Sequence, residues 1–247
     1  MKNVKLSIII PVYNNYKQLE KCLVSIFKQS FNDHEIIIID DGSEHLNTET
    51  LRHLNTKFNF NYYKIEHGGA PRARNFGFEK SSGEYVFFCD ADVVFLKPDA
   101  LQKFVDVLYN NSEIDFAYSQ FKFGWKKFKC FEFNIEKLKQ NNYISANSII
   151  RRSALEKISN NTCLPERHGP WDENLKKFQD WDLWLSLIKK GSSGKLIKEV
   201  LWKAKSSGTM SKWLPGEKFN FYKFFPNAKN VQEFEKAKEI IKKKHGV

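Results

Sequence analysis

The feature that most constrains this chain is a set of short, nearly all-apolar runs, each closed by a polar cluster. The runs are Leu6 to Val12, Glu35 to Ile39 and Glu84 to Cys89. Strands buried on both faces read this way, as in parallel sheets covered by helices on either side. Between the first two runs, Leu19, Cys22, Leu23, Ile26 and Phe27 recur at helical spacing, which predicts an amphipathic connecting helix. A short strand is expected over Asn61 to Ile65. Gly68-Gly69-Ala70-Pro71 then makes a turn opening a helix from Arg72 to Lys80, closed by Ser81-Ser82-Gly83. Strand and helix alternating in this order predict a doubly wound α/β sheet. Ligands of such sheets lie beyond the carboxyl ends of the strands. Here those ends carry Pro11–Asn14, Asp40–Ser43 and Asp90–Asp92.

The second half is less regular. It reads as a helix over Pro98 to Tyr109, a strand near Phe116, a lysine- and aromatic-rich stretch from Phe121 to Phe133, a strand over Tyr143 to Ile150 and a short helix over Ser153 to Ile158. Pro165, Gly169 and Pro170 make Cys163 to Asn174 a loop. A strong amphipathic helix begins near Asp180, with Trp181, Trp184, Leu185 and Ile188 on one face, and Gly191 ends it. From Glu217 onward one or two basic helices are expected, packed on or beside the domain.

With 41% hydrophobic and 15% aromatic residues, the chain is able to bury a sizeable core, which excludes wholesale disorder. No run approaches the ~20 apolar residues of a membrane span, and the start lacks a signal-peptide pattern. Cytoplasmic residence is the expectation. Cys22, Cys89, Cys130 and Cys163 form no CxxC pair and read as free thiols of a reducing compartment. The net charge of +11 points to an anionic partner: nucleic acid, an acidic leaflet or phosphorylated substrates. Lys122, Lys126, Lys127 and Lys129 share one acid-free segment, and Lys242-Lys243-Lys244 stand near the C-terminus. Both runs read equally as solvated surface.

Asp90 and Asp92 stand two apart on an extended chain, so both carboxylates face one way. Mg²⁺ is commonly held by one or two carboxylates together with substrate phosphates. The pair therefore suggests a cation bridging to a diphosphate, or else a strand-end turn capped by aspartates. Asp40-Asp41-Gly42-Ser43 reads as a capped turn or as a carboxylate hydrogen-bonded to a nucleotide.

Taken in order, Ser7-Ile8-Ile9-Ile10-Pro11-Val12-Tyr13-Asn14, Asp40-Asp41-Gly42-Ser43, Ala73-Arg74-Asn75-Phe76-Gly77, Gly83-Glu84-Tyr85-Val86 and Asp90-Ala91-Asp92 resemble the ordered motifs of family 2 glycosyltransferases of the GT-A fold. Trp171-Asp172-Glu173-Asn174-Leu175 and Gln179-Asp180-Trp181-Asp182-Leu183-Trp184 look like that family's acceptor-side segment. The resemblance implies a mixed, mainly parallel GT-A sheet over residues 1–216. The donor half is about 1–95 and the acceptor half about 96–216, followed by a basic helical extension over 217–247.

The resemblance also implies roles. Pro11, Tyr13 and Asn14 line the nucleotide, Asp41 bonds a uracil-like ring, Asp90 lies near the ribose, and Asp92 holds Mn²⁺ or Mg²⁺ on the diphosphate. Asp180 would be the base that takes the acceptor's hydroxyl proton, the other reading being a helix cap. Asp182 reads as a structural acid. Gln179 departs from the Glu usual before that base. Where many relatives carry a metal-binding His after the last core strand, Trp202 to Ser211 has none, and Lys205 stands in its place, suited to grip the diphosphate directly. On chemistry alone, Arg72 or Arg74 suits a bidentate phosphate contact or is a solvated helix arginine. Trp171, Trp181 and His168 are candidates for a sugar-stacking platform, although tryptophans at helical spacing also read as core.

The expected function is inverting transfer of a hexose-type sugar, from a UDP-sugar by preference, to a saccharide or lipid-linked saccharide in surface-glycan synthesis. The basic segments would rest on an anionic membrane, on its inner face. The alternatives are a catalytically inactive nucleotide-sugar-binding protein and a nucleic-acid binder. The latter leaves the strand-end clusters unexplained, so no nucleic acid is expected as partner.

Overall fold

The computed structural model describes residues 5–44, 48–128, 130–159, 169–205 and 229–247. Helices and strands alternate through the first half: β1 (Leu6–Val12), α1 (Tyr16–Phe27), β2 (His34–Asp41), α2 (Thr48–Phe58), β3 (Asn61–Ile65), α3 (Ala70–Glu79) and β4 (Tyr85–Phe88). There follow β5 (Val94–Phe95), α4 (Ala100–Tyr109), β6 (Phe116–Phe123), β7 (Lys126–Phe128), α5 (Ile135–Gln140), β8 (Ile149–Arg151), α6 (Arg152–Ser159), α7 (Gln179–Lys189), β9 (Gly194–Ala204) and α8 (Lys229–His245).

The strands form one mixed sheet in the order β3-β2-β1-β4-β8-β6-β9-β5, with β7 paired to β6. The first four are mutually parallel. β8 joins them to the second half through antiparallel pairing with β4 and β6, and β6 and β9 run parallel. The α/β fold expected from the apolar runs is present.

Alternation within each run explains the layers, because successive side chains leave opposite faces of a strand. Ile8, Ile10, Ile36 and Ile38 join α1, α2 and α4 in one core, while Ile9, Val86 and Phe88 face a second core built with α5, α6 and α7. α3 lies close on the sheet: a Cβ at Gly77 would come within 2.3 Å of Ile9 Cγ2, so only glycine admits this approach. α8 docks on α7, burying Ile241 fully in the second core and setting Phe234 against Phe178 with ring centroids 4.9 Å apart.

Three local expectations change. The strand anticipated over Tyr143 to Ile150 shrinks to β8, because the chain before it is drawn into side-chain bonds such as Ser148 Oγ to the Ser145 carbonyl. Helix α2 and strand β9 appear where the sequence pattern was weak. Cys163, His168 and residues 206–228 lie outside the described residues.

Candidate active site

β2, β1 and β4 are adjacent and parallel, so the three polar clusters emerge side by side at one edge. At the end of β1, Asn14 adopts a left-handed conformation (φ 49°). Its N–H donates to Ser43 Oγ at 2.8 Å and its Oδ1 accepts from the Glu44 N–H at 3.2 Å. Asn14 thus ties two strand ends together. Tyr13 beside it is 45% exposed and stacks on His67, with centroids 4.2 Å apart, leaving a flat aromatic surface at the cleft.

The two aspartates of the β2 cluster do different work. Asp40 is fully buried. Its Oδ2 accepts from the hydroxyls of Tyr16 (2.8 Å) and Tyr62 (2.6 Å), and its Oδ1 from the Ser43 N–H (2.9 Å). Burial pushes its carboxyl up, but these bonds outweigh it and hold the pKa below the usual value. Asp41 accepts from the N–H groups of Gly68 (2.8 Å) and Gly69 (2.9 Å), and His67 Nδ1 lies 2.9 Å from it. It therefore sits at the N-terminus of α3, where the helix dipole favours an anion. Gly42 turns between them at φ +76°, where an added Cβ would meet the His67 nitrogen at 2.8 Å.

Beyond β4, Arg74 Nη2 donates to Asp90 Oδ1 at 2.7 Å, and Asn147 Nδ2 donates to Oδ2 at 3.1 Å. The Asp90 N–H in turn donates to Asn147 Oδ1 at 2.8 Å. Asp92 is pushed up to about 6, first by burial and then by the charge of Asp90. The Lys205 N–H and ammonium both oppose that rise, which places Lys205 next to Asp92. Asp180 is also pushed up to about 6 by burial, against the Trp181 N–H, the charge of Arg74 and a bond from Asn142. Arg74, on α3, thus links the β4 cluster to the first turn of α7. Phe178 occupies the cap position of α7 in a left-handed conformation, so Asp180 lies inside the first turn.

Arg74 is 7% exposed, committed to Asp90 and stacked 4.5 Å over Trp171. The bidentate phosphate contact considered for it is closed by this engagement. Arg72 is exposed, its stem folded across Gly68. The sugar platform is also corrected. Trp171 and Trp181 are 0% and 1% exposed and belong to the second core, Trp181 donating from Nε1 to the Leu138 carbonyl. Buried indoles have no face to offer a sugar ring. His67 and Asn147 escaped the sequence reading. His67 had a signal, standing just before the Gly68-Gly69 turn, whereas Asn147 had none.

Among the described residues no three His, Cys, Asp or Glu side chains cluster as a protein-only metal cage. One or two hard oxygen ligands, with Asp92 lacking a full counter-charge, suit a cation that completes its shell from a diphosphate and water.

Residues 7–159 match the family described as glycosyl transferase family 2. The chain belongs to that family. Among curated relatives, glycosyltransferase RC0461 of Rickettsia conorii is 27% identical over 220 residues, covering 89% of this chain and 36% of the relative. Glycosyltransferase GlyA of Streptococcus pneumoniae serotype 4 is 37% identical over 89 residues, covering 36% of this chain and 13% of that one. The chain thus spans about a third or less of these relatives' length. Among solved structures, S. aureus TarS 1-349 in complex with UDP-GlcNAc superposes with a TM-score of 0.69 at 19% identity, covering 89% of this chain and 64% of TarS 1-349. The Pyrobaculum calidifontis mannosyltransferase PcManGT, in complex with GDP-Man and Mn2+, gives 0.62 at 16%, covering 85% and 59%. The mixed GT-A fold of family 2 is shared with both.

Proposed function

We propose that this chain is an inverting glycosyltransferase moving a hexose-type sugar from a UDP-sugar to a hydroxyl of a saccharide or lipid-linked saccharide acceptor. The observation that carries the reading is that Arg74 joins Asp90 to Asp180, with Asp92 beside Asp90 and Lys205, and that Asp92 and Asp180 are both raised to about 6. A carboxylate with that pKa is a competent base at neutral pH. The nucleotide lies against Pro11, Tyr13 and Asn14, with Asp41 and Asp90 towards its base and ribose. Lys205 and Arg72 neutralise the diphosphate. Asp180 accepts the acceptor proton as the acceptor oxygen bonds to the anomeric carbon. The old carbon–oxygen bond breaks with its electron pair passing to the diphosphate. Attack opposite the leaving group inverts the anomeric centre. Mn²⁺ or Mg²⁺ held by Asp92 would supply Lewis-acid stabilisation of the diphosphate.

The acceptor half supports a membrane-surface setting in surface-glycan synthesis. At the tip of the β6–β7 hairpin Trp125 is fully exposed (101%), flanked by exposed Lys122, Lys126 and Lys127. Interfacial tryptophan with lysines is the pattern of a protein resting on an anionic leaflet, here the cytoplasmic face. Among the described residues no helix is long and apolar enough to cross a membrane.

The test is a panel of nucleotide sugars, UDP-GlcNAc included, scored for nucleotide-diphosphate release with Mn²⁺, Mg²⁺ or EDTA. Release from one donor, lost in Asp180→Asn, supports the reading. Binding of a donor without any turnover would instead favour an inactive nucleotide-sugar-binding protein.

A further inference from the structure

Asp180 and Asp182 stand two residues apart on α7, hence about 200° around the helix axis. One faces the cleft; the other faces α8. Asp182 is fully buried, and the last turn of α8 supplies two of its partners. Lys244 Nζ lies 2.6 Å and His245 Nε2 2.7 Å from Asp182 Oδ1. The same Lys244 ammonium reaches Asp172 Oδ2 at 2.5 Å. Asp172 follows Trp171, whose N–H donates to Asn75 Oδ1 and whose carbonyl accepts from Asn75 Nδ2, both at 2.9 Å. Asn75 is the neighbour of Arg74. One ammonium therefore spans the helix that carries the candidate base and the turn that anchors the Arg74 segment.

The electrostatics agree with the geometry. The C-terminal end of α8, negative by its peptide dipoles, carries Lys242, Lys243, Lys244 and His245. The N-terminal end of α7, positive by its dipoles, carries Asp180 and Asp182. Each end bears the side chains its dipole favours, and the two ends meet through Asp182. Phe178 against Phe234, and Lys177 with Glu233 at 3.3 Å, add contacts between the residues just before α7 and the first turns of α8.

We propose that Lys244 and His245 are positioning residues for Asp180: the cationic end of α8 clamps the first turn of α7 from behind and so sets the carboxylate that faces the acceptor. The expectation that this lysine cluster serves a membrane surface does not extend to Lys244, which is engaged internally. The inference rests on the reading of Asp180 as base.

The experiment uses the full chain and, as donor, the nucleotide sugar turned over in the panel, with water as acceptor. Lys244→Met is expected to lower kcat at least tenfold while the donor KM and the affinity for UDP stay within twofold. Amide exchange over residues 179–183 quickens, and Lys244→Arg restores both. Asp172→Asn, which loosens the same ammonium without baring Asp182, shifts both readouts the same way by a smaller factor and covers the case in which Lys244→Met does not fold. Wild-type kcat and wild-type exchange in folded Lys244→Met or Asp172→Asn overturn the clamp. A loss of folded protein with unchanged kcat per folded molecule also overturns it, because the role is then purely structural. Asp180→Asn separates the two claims. If it keeps full turnover the base assignment falls. If it loses turnover while Lys244→Met does not, only the clamp falls.

Discussion

Arg74 Nη2 lies 2.7 Å from Asp90 Oδ1, and the same guanidinium lowers the pKa of Asp180. One cation from α3 therefore acts on both the donor-side cluster and the candidate base. Arg74→Met should cut turnover by about 10²-fold, the scale at which placed charges act in active sites. It should also move the acid limb of the pH–rate profile upward, since a cation opposing the Asp180 rise is gone. An unmoved limb would mean that Arg74 does not act on the base.

With Asp180 raised to about 6, turnover should climb as pH rises through about 6 and level off above it. Stability should run the other way. The folded state binds this proton more tightly than the unfolded chain, so the contribution is full at low pH and lost as pH rises through about 6. Asp180→Asn should therefore be more stable than wild type at pH 8, by up to about 2 kcal/mol after solvent screening, and equal to it near pH 4. Thermal melts at the two pH values check the sign.

Asp92→Ala should abolish any stimulation of diphosphate release by Mn²⁺ or Mg²⁺. In the wild type that stimulation should weaken below about pH 6, where a proton competes for the same carboxylate. Metal titrations of the release rate at pH 5.5 and 7.5 measure both effects.

Trp125→Ala should weaken binding to vesicles containing anionic lipid by roughly tenfold. Each of Lys122, Lys126 and Lys127 changed to Gln should cost about 1 kcal/mol at low salt. Neutral vesicles and high salt should release all variants alike. Wild-type binding by Trp125→Ala in vesicle sedimentation removes the hairpin from the interface.

Cys22 and Cys89 bring their sulfurs to 3.7 Å with both side chains fully buried, and burial pushes the Cys89 thiol well up. In the native state alkylation at these two positions should be at least ~10-fold slower than at a free thiol. Denaturant should abolish the difference, as peptide mass spectrometry would show.

The parts of the fold legible beforehand are those whose signal is local. β1, β2 and β4 announced themselves as apolar runs because both their faces are buried. The end of α7 was visible because Gly191 takes φ +83° there. α2 was not, since its apolar positions are few among polar neighbours. β9 mixes lysines with apolar residues along an irregular pairing with β6. The site divides the same way. The strand-end clusters could be placed from the sequence, whereas the partners of their side chains could not. Asn75 meets Trp171 across 96 residues, and Asp90 meets Asn147 across 57. No periodicity encodes such a meeting. Trp171, which the sequence left between a sugar platform and core, is core, with that distant asparagine holding its backbone.

The antiparallel pairing of β4 with β8 makes a seam between the parallel first part and the mixed second part of one continuous sheet. Few described side-chain bonds cross it near the chemistry: Asp90 with Asn147, Asn75 with Trp171 and Glu173, Arg152 with the Gly83 carbonyl. A sequence grafted across this seam would have to keep Asn147, Arg152, the Trp171 turn and Lys205 for the side chains at the ends of β1, β2 and β4 to keep their partners.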